Sequence, residues 1–236
     1  MTLEHERLDR VAEWYTGREG FYARLVRYGF DALRPHFRGT SCCELGPADG
    51  QMTGMLLEHF DDVVSVEGSS TYCERLREHF AEEPGLAIVC SLFEDYEPKR
   101  KFDTILGTHI LEHVDQPIGV LAHAREWGSR LVMLVPNALS IHRLVAVEMG
   151  LLESPDSLNA LDQRLGHRRV YDPDILHDHI SAAGWRIVNS GGVFLKPLSN
   201  GQIDRWFDER IMDGFAAAAR HFPRHAAEIF VVAEHD

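Results

Sequence analysis

Between residues 41 and 135, short apolar runs alternate with stretches of helical periodicity, and no other feature of the sequence constrains the fold as strongly. The runs are Ser41–Leu45, Val63–Glu67, Ala87–Ser91, Thr104–Gly107 and Leu131–Val135. Thr53–Phe60, Tyr72–Phe80 and Ile118–Trp127 lie between them and repeat apolar residues at helical spacing. The runs are apolar at consecutive positions, so each strand needs cover on both faces, as in a parallel sheet flanked by helices. Two later runs, Trp185–Ser190 and Ile229–Ala233, bring the expected strand count to seven. Gly184 suits the left-handed stop of a helix before the first of these, and a long helix from about Gln202 to Arg220 precedes the second. A chain of 236 residues accommodates one such sheet as a single α/β domain.

Residues 3–36 read as helical, with Leu8, Val11, Ala12, Tyr15, Phe21, Leu25 and Tyr28 recurring along the helix. Residues 136–171 read as an irregular insertion after the fifth run, and long connections at the carboxyl edge of a parallel sheet usually carry function. No apolar run is long enough to span a bilayer. Glu4, His5, Glu6 and Arg7 stand where a signal peptide needs an apolar core, so a cytoplasmic location is expected. Cys42, Cys43, Cys73 and Cys90 lack any zinc-like pairing, and the adjacent Cys42 and Cys43 read as small apolar residues of a buried strand. The formal net charge of −13 repels nucleic acid and acidic membranes, so neither is expected as a partner.

Cys43-Glu44-Leu45-Gly46-Pro47-Ala48-Asp49-Gly50 closes the first run and opens a helix. Gly46 and Gly50 let the backbone turn tightly and approach a ligand, and Ala48 is the next smallest side chain. Glu44 is placed to fix this loop by accepting backbone N–H bonds. An ordinary strand–helix turn has the same appearance, so the motif gains weight only beside a second one. That second motif is Val63-Val64-Ser65-Val66-Glu67-Gly68-Ser69. An acid at this strand end accepts hydrogen bonds from both hydroxyls of a ribose; the plainer reading is a cap for the next helix. An NAD-linked oxidoreductase wants G-x-G-x-x-G at the first turn, and the third glycine is missing here. Neither a P-loop, a G-x-S-x-G elbow nor a paired CxxC site is present.

Cys90-Ser91-Leu92-Phe93-Glu94 follows the third run, and Phe102-Asp103-Thr104-Ile105-Leu106 leads into His109-Ile110-Leu111-Glu112-His113-Val114. These four landmarks, in order across residues 41–136, resemble the class I S-adenosylmethionine-dependent methyltransferases, in their small-molecule, ubiquinone-biosynthesis-like branch. The resemblance implies a Rossmann-like seven-stranded sheet with helices on both faces, a helical amino-terminal lid over residues 1–38 and a substrate-cap insertion. It assigns residues 39–136 to the cofactor half and 137–236 to the cap and closing strands, with 137–171 and 192–215 forming the cap. It implies S-adenosyl-L-methionine as cofactor and S-adenosyl-L-homocysteine as product. Glu44, Gly46, Ala48 and Gly50 would meet the methionine end, Glu67 and Gly68 the ribose, Ser91, Leu92 and Phe93 the adenine, with His109 beside them. Family members often place an acid after the third strand to meet the adenine amino group. Leu92 stands there here, which leaves that contact to backbone or to Glu94.

Methyl transfer needs a nucleophile aligned behind the sulfonium methyl and, for a hydroxyl, a group that takes its proton. His109 and His113 are spaced to share a helix face, which fits a braced loop, a base with an orienting partner, or a metal pair. Pro136-Asn137, His142-Arg143 and Gly166-His167-Arg168-Arg169-Val170-Tyr171 resemble the same branch, whose late loop holds a histidine near the acceptor; His167 is therefore the leading base candidate. Arg143, Arg168 and Arg169 concentrate positive charge in an acidic chain. They either clamp an anionic group or pair with Asp162, Asp172 and Asp174 to hold the loop. Tyr15, Tyr22 and Tyr28 either line the site under the lid or pack in the core. Phe194, Lys196, Asn200 and Gln202 belong to a polar loop within reach of substrate, whereas Met149 and Met212 read as core.

The expected function is methylation of a small polar metabolite, an anionic one included, with oxygen favoured over nitrogen because histidine bases are at hand. N-methylation of an amino sugar or similar amine is the alternative, and a non-catalytic S-adenosylmethionine-binding module is a second. Methylation of a macromolecule runs against the acidic charge. A divalent metal is compatible with the histidines but not favoured, a homo-oligomer is compatible, and secondary metabolism is suggested by the resemblance alone.

Overall fold

The computed structural model describes residues 3–15 and 20–235. Its strands are β1 (Ser41–Leu45), β2 (Asp62–Glu67), β3 (Leu86–Cys90), β4 (Thr104–Thr108), β5 (Arg130–Pro136), β6 (Arg186–Val193) and β7 (Glu228–Glu234). They form one sheet in the order β3-β2-β1-β4-β5-β7-β6. β1 to β5 pair in parallel, and β7 runs antiparallel between β5 and β6. The chain reverses its direction of travel across the sheet between β1 and β4. The carboxyl ends of these strands therefore diverge into a crevice, where open α/β sheets bind ligands.

Alternation along each strand sends side chains to two cores. In β5, Leu131, Met133 and Val135 pack with Leu121, Trp127, Leu176 and Trp185 on one face. Val132 and Leu134 pack with Phe21, Leu33, Leu56 and Met212 on the other. The first face is covered by α5 (Pro117–His123) and α8 (Pro173–Ala182), the second by α2 (Gly20–Leu33), α3 (Gln51–Leu57) and α10 (Glu209–Ala218). Each fully buried large apolar side chain contributes roughly 1.5–3 kcal/mol to this packing. The remaining helices are α1 (Leu3–Ala12), α4 (Ser70–His79), α6 (Ile141–Glu148), α7 (Ala160–Leu165) and α9 (Asn200–Trp206). No helix among the described residues is long and apolar enough to cross a membrane.

The amino-terminal stretch forms helices as expected, α1 and α2, and Gly20 opens the second at φ +66°. Three other expectations change. The expected helix from Gln202 to Arg220 breaks at Phe207, and Asp208 caps α10 by accepting the Ile211 N–H at 2.9 Å. The insertion is not irregular, because it holds α6 and α7. Asn159 and Asp162 form a reciprocal capping box on α7, and Gly166 at φ +80° ends it. Met212 is buried as expected, but Met149 is 66% exposed.

α1 crosses the carboxyl end of the sheet and is tied down on both sides. Asp9 accepts from Ser69 Oγ at 2.6 Å, Ser70 Oγ at 2.8 Å and the Thr71 N–H at 3.1 Å, at the start of α4. On the other side Arg7 donates to the Gly166 carbonyl at 2.9 Å, and Glu4 pairs with Arg168 at 3.2 Å. Leu8 lies over Gly68, where a Cβ would fall 2.6 Å from its Cδ1.

Candidate active site

The loop after β1 is built from left-handed residues: Gly46 at φ +68°, Ala48 at +47° and Gly50 at +79°. A side chain at Gly46 would strike Ile110 at 2.5 Å, so the position admits only glycine without rearrangement. Glu67, at the end of β2, ties this loop to its neighbour. It accepts the Ala48 N–H at 3.2 Å and the Ser69 N–H at 2.8 Å. Burial raises its pKa to about 7 in spite of these donors. Glu44 acts differently from expectation. It accepts the hydroxyls of Thr53 at 2.7 Å and Ser65 at 2.6 Å rather than backbone N–H groups, and it braces the loop from inside the sheet. Gly50 likewise stands behind the wall and starts α3.

Gly46, Ala48, Glu67, Gly68, Ser91, Leu92 and Phe93 line one end of a cavity of about 1000 Å³ under α1. Glu94 joins them beside Leu92. Tyr15 and Tyr22 form the roof in edge contact at 5.9 Å, and the Tyr22 ring meets His109 at 6.0 Å. Tyr28 is not on this wall; its hydroxyl donates to Asp213 at 2.7 Å and its ring packs on Phe194.

The far end of the cavity is rich in histidine. His109 takes φ +57°, unusual for a side-chain-bearing residue, and stands between two carboxylates. Its Nε2 is 2.8 Å from Glu228 Oε1 and its Nδ1 is 3.4 Å from Glu112 Oε1. Burial works against charge on this ring, but Glu228 and Glu112 outweigh it and hold the pKa at about 10. The two carboxylates thus favour the imidazolium form of His109, which suits it to bracing the loop more than to accepting a proton. His113 is the opposite case, since burial lowers its pKa to about 4 and keeps it neutral. His167 stands across from it, ring perpendicular at 4.7 Å, with Nδ1 3.3 Å from Asp162 Oδ1. Burial would raise the Asp162 pKa, but His167, the Asn159 N–H and Arg143 keep it at about 2.

The arginines do not converge on the cavity as a clamp. Arg143 lines it but is committed to Asp162 at 3.2 Å and to the carbonyls of Pro155 and Ser157. Arg168 lies outside the wall and pairs with Glu4, Asp115 and the His113 carbonyl, which corrects its expected place against substrate. Arg169 is spent on the carbonyls of Leu111, Val114 and Asp115. Asp172 caps α8 and Asp174 pairs with Arg224, so among the three expected aspartates only Asp162 holds one of these arginines. Lys196 does face the cavity, 3.5 Å from His142 Nε2 and 5.5 Å from the Phe21 ring centroid. Burial lowers its pKa to about 8 and that of His142 to about 3. Asn200 also lines the cavity, whereas Gln202 caps α9 through Ser199, and Phe194 packs against Phe21.

Glu228 and Arg7 are site residues that the sequence reading passed over, and Asp162, read only as an arginine partner, also holds His167. Glu228 carried a signal: it is a lone acid opening an otherwise apolar run, Ile229-Phe230-Val231-Val232-Ala233.

A family model described as a methyltransferase domain matches residues 16–190. A ubiquinone biosynthesis O-methyltransferase from Rhodopseudomonas palustris (strain BisB5) is 25% identical over 175 residues, 65% of this chain and 61% of that protein. The match thus spans about three fifths of the length of that curated relative. Among solved structures, the N-methyltransferase NodS from Bradyrhizobium japonicum WM9, in complex with S-adenosyl-L-homocysteine, superposes with a TM-score of 0.62 at 11% identity, covering 99% of this chain and 98% of that one. An S-adenosylmethionine-dependent methyltransferase from Mesorhizobium loti gives 0.63 at 13% identity, covering 88% and 98%. The mixed seven-stranded sheet is the Rossmann-like methyltransferase fold, and the chain belongs to the methyltransferase-domain family.

Proposed function

We propose that this enzyme transfers the methyl group of S-adenosylmethionine to an oxygen of a small polar metabolite. The observation that carries this reading is a single cavity joining the Gly46–Ala48 loop and Glu67 to the His113–His167 pair. The methionine end rests on the left-handed loop, the ribose on Glu67, and the adenine beside Ser91, Leu92 and Phe93. The sulfonium then lies beneath Tyr15 and Tyr22. A cavity of about 1000 Å³ is at the upper end for small-molecule sites, which leaves room for an acceptor beside the cofactor. The net charge of −13 favours a small acceptor over nucleic acid. Lys196 takes over the anion-reading role expected of the arginines. The Asp162–His167 pair favours a hydroxyl acceptor, because Asp162 orients a ring that assists loss of the hydroxyl proton.

His167→Ala is expected to slow turnover by about 10²–10⁴-fold while S-adenosylhomocysteine affinity stays unchanged. Single-turnover kinetics with calorimetry checks this; a normal rate in the folded variant would remove His167 from the reaction. A second expectation concerns pH. Burial raises the Glu67 pKa to about 7, so the carboxyl gains a proton as pH falls through that value. Only the carboxylate accepts both ribose hydroxyls. Product affinity should therefore be full above pH 8 and fall about tenfold per unit below pH 6, whereas Glu67→Gln should show no such slope. A flat wild-type profile would contradict the ribose assignment.

A further inference from the structure

We propose that Glu112, His113 and His167 bind a divalent transition-metal ion at the acceptor end of the cavity. One ligand atom from each lies within 4.8 Å of the other two. Two imidazoles and one carboxylate suit Zn²⁺, Co²⁺ or Fe²⁺ better than Mg²⁺ or Ca²⁺, which prefer all-oxygen sites.

Three further features support the site. Glu112 is fully buried; its Oε1 has a long contact to His109 Nδ1 at 3.4 Å, whereas Oε2 accepts no hydrogen bond, and a buried acceptor of this kind calls for a partner. His167 presents Nδ1 to Asp162, which leaves Nε2 for a cation, the carboxylate–histidine arrangement that orients metal ligands. His109, 3.4 Å from Glu112 Oε1, steadies the carboxylate in the same way. His113 and His167 both face the cavity, so three protein ligands leave an open position on the acceptor side, as in catalytic metal sites. The guanidiniums of Arg7 and Arg168 are nearby, but Glu4 pairs with both and Asp115 with Arg168, which reduces their repulsion of a cation.

The metal site itself does not depend on the methyl-transfer reading; only the use of its open position does. There the cation lowers the pKa of the acceptor hydroxyl, whose proton leaves to water. An oxygen electron pair then forms the C–O bond while the methyl–sulfur pair returns to sulfur. His167 thereby assists proton loss through the cation rather than by taking the proton itself.

The test uses the full chain, free of affinity tag and stripped with chelator, titrated with Co²⁺ alone. One saturable equivalent with a visible ligand-field band is expected, displaced by Zn²⁺. Asp162→Asn should weaken it about 10–100-fold, as loss of an outer-shell partner does, and His167→Ala should weaken it at least as much. Glu112→Gln should abolish the band. If that buried variant fails to fold, His167→Ala decides alone, because its ring is at the cavity surface. Absence of the band, or cobalt binding that these variants leave unchanged, overturns the site. Calorimetry with S-adenosylhomocysteine on the same samples separates the two proposals: product binding without cobalt binding overturns only the metal site, and cobalt binding without product binding overturns only the cofactor reading.

Discussion

Glu67→Ala is expected to weaken S-adenosylhomocysteine binding by at least about 100-fold. Two charge-assisted hydrogen bonds to the ribose hydroxyls are worth roughly 1.5–3 kcal/mol each, and every 1.4 kcal/mol is about a factor of ten. The carboxylate also accepts the N–H groups of Ala48 and Ser69, so its loss releases the loop proposed to carry the methionine end. Ala48 holds φ +47° with that bond in place, and without it the backbone has less reason to stay left-handed. Glu67→Gln retains the size and one acceptor oxygen, and its loss should be smaller. The measurement is calorimetry at pH 8, where the wild-type carboxylate is ionised, with circular dichroism to establish folding. An unchanged dissociation constant in folded Glu67→Ala would contradict the ribose assignment.

Deleting residues 1–20 is expected to leave a folded core without measurable turnover. α1 buries only Ala12 and is held mainly by polar ties at its edges, from Asp9 to the start of α4 and from Arg7 to Gly166. The apolar cores are built from α2 onward, so the sheet does not need α1 to pack. The cavity does need it: Leu8, Val11 and Tyr15 cover the space above Glu67 and Gly68. Their removal admits water to the reacting centre and withdraws part of the acceptor pocket. Cooperative thermal unfolding with lost activity is the expected pair of results. Full activity in the truncated chain would show that α1 is not a lid.

The sheet was legible because its strands are short, apolar and two-sided. The run Ser41–Leu45 coincides with β1, and Leu131–Val135 falls inside β5. The placement of β7 between β5 and β6 was not legible, since periodicity says nothing about the order of strands. The missed break at Phe207 and the missed helices of the insertion had local signals in Asp208, Asn159 and Gly166. A dominant helical periodicity masked the first, and loop-like composition masked the second.

The site divides along the same line. Gly46, Ala48, Glu67 and Leu92 reach the cavity wall because each sits at the end of a strand, where short motifs determine position. Charges behave otherwise. Arg168 turns outward to Glu4 and Asp115, and Glu228 arrives from the last strand to hold His109, because ion pairs join residues far apart in the chain. Such pairing has no period for a sequence reading to find.

In the proposed reaction one cavity brings S-adenosylmethionine and a small hydroxylated acceptor together. A panel of small hydroxy and amino metabolites, incubated with enzyme and methyl-labelled S-adenosylmethionine, tests it most directly, with S-adenosylhomocysteine release and product mass as readouts. Label is expected on the oxygen of a small hydroxylated acceptor, with one S-adenosylhomocysteine per product and loss of that transfer in His167→Ala. Cofactor binding with no transfer to any small acceptor, or label found only on protein or nucleic acid, would contradict it.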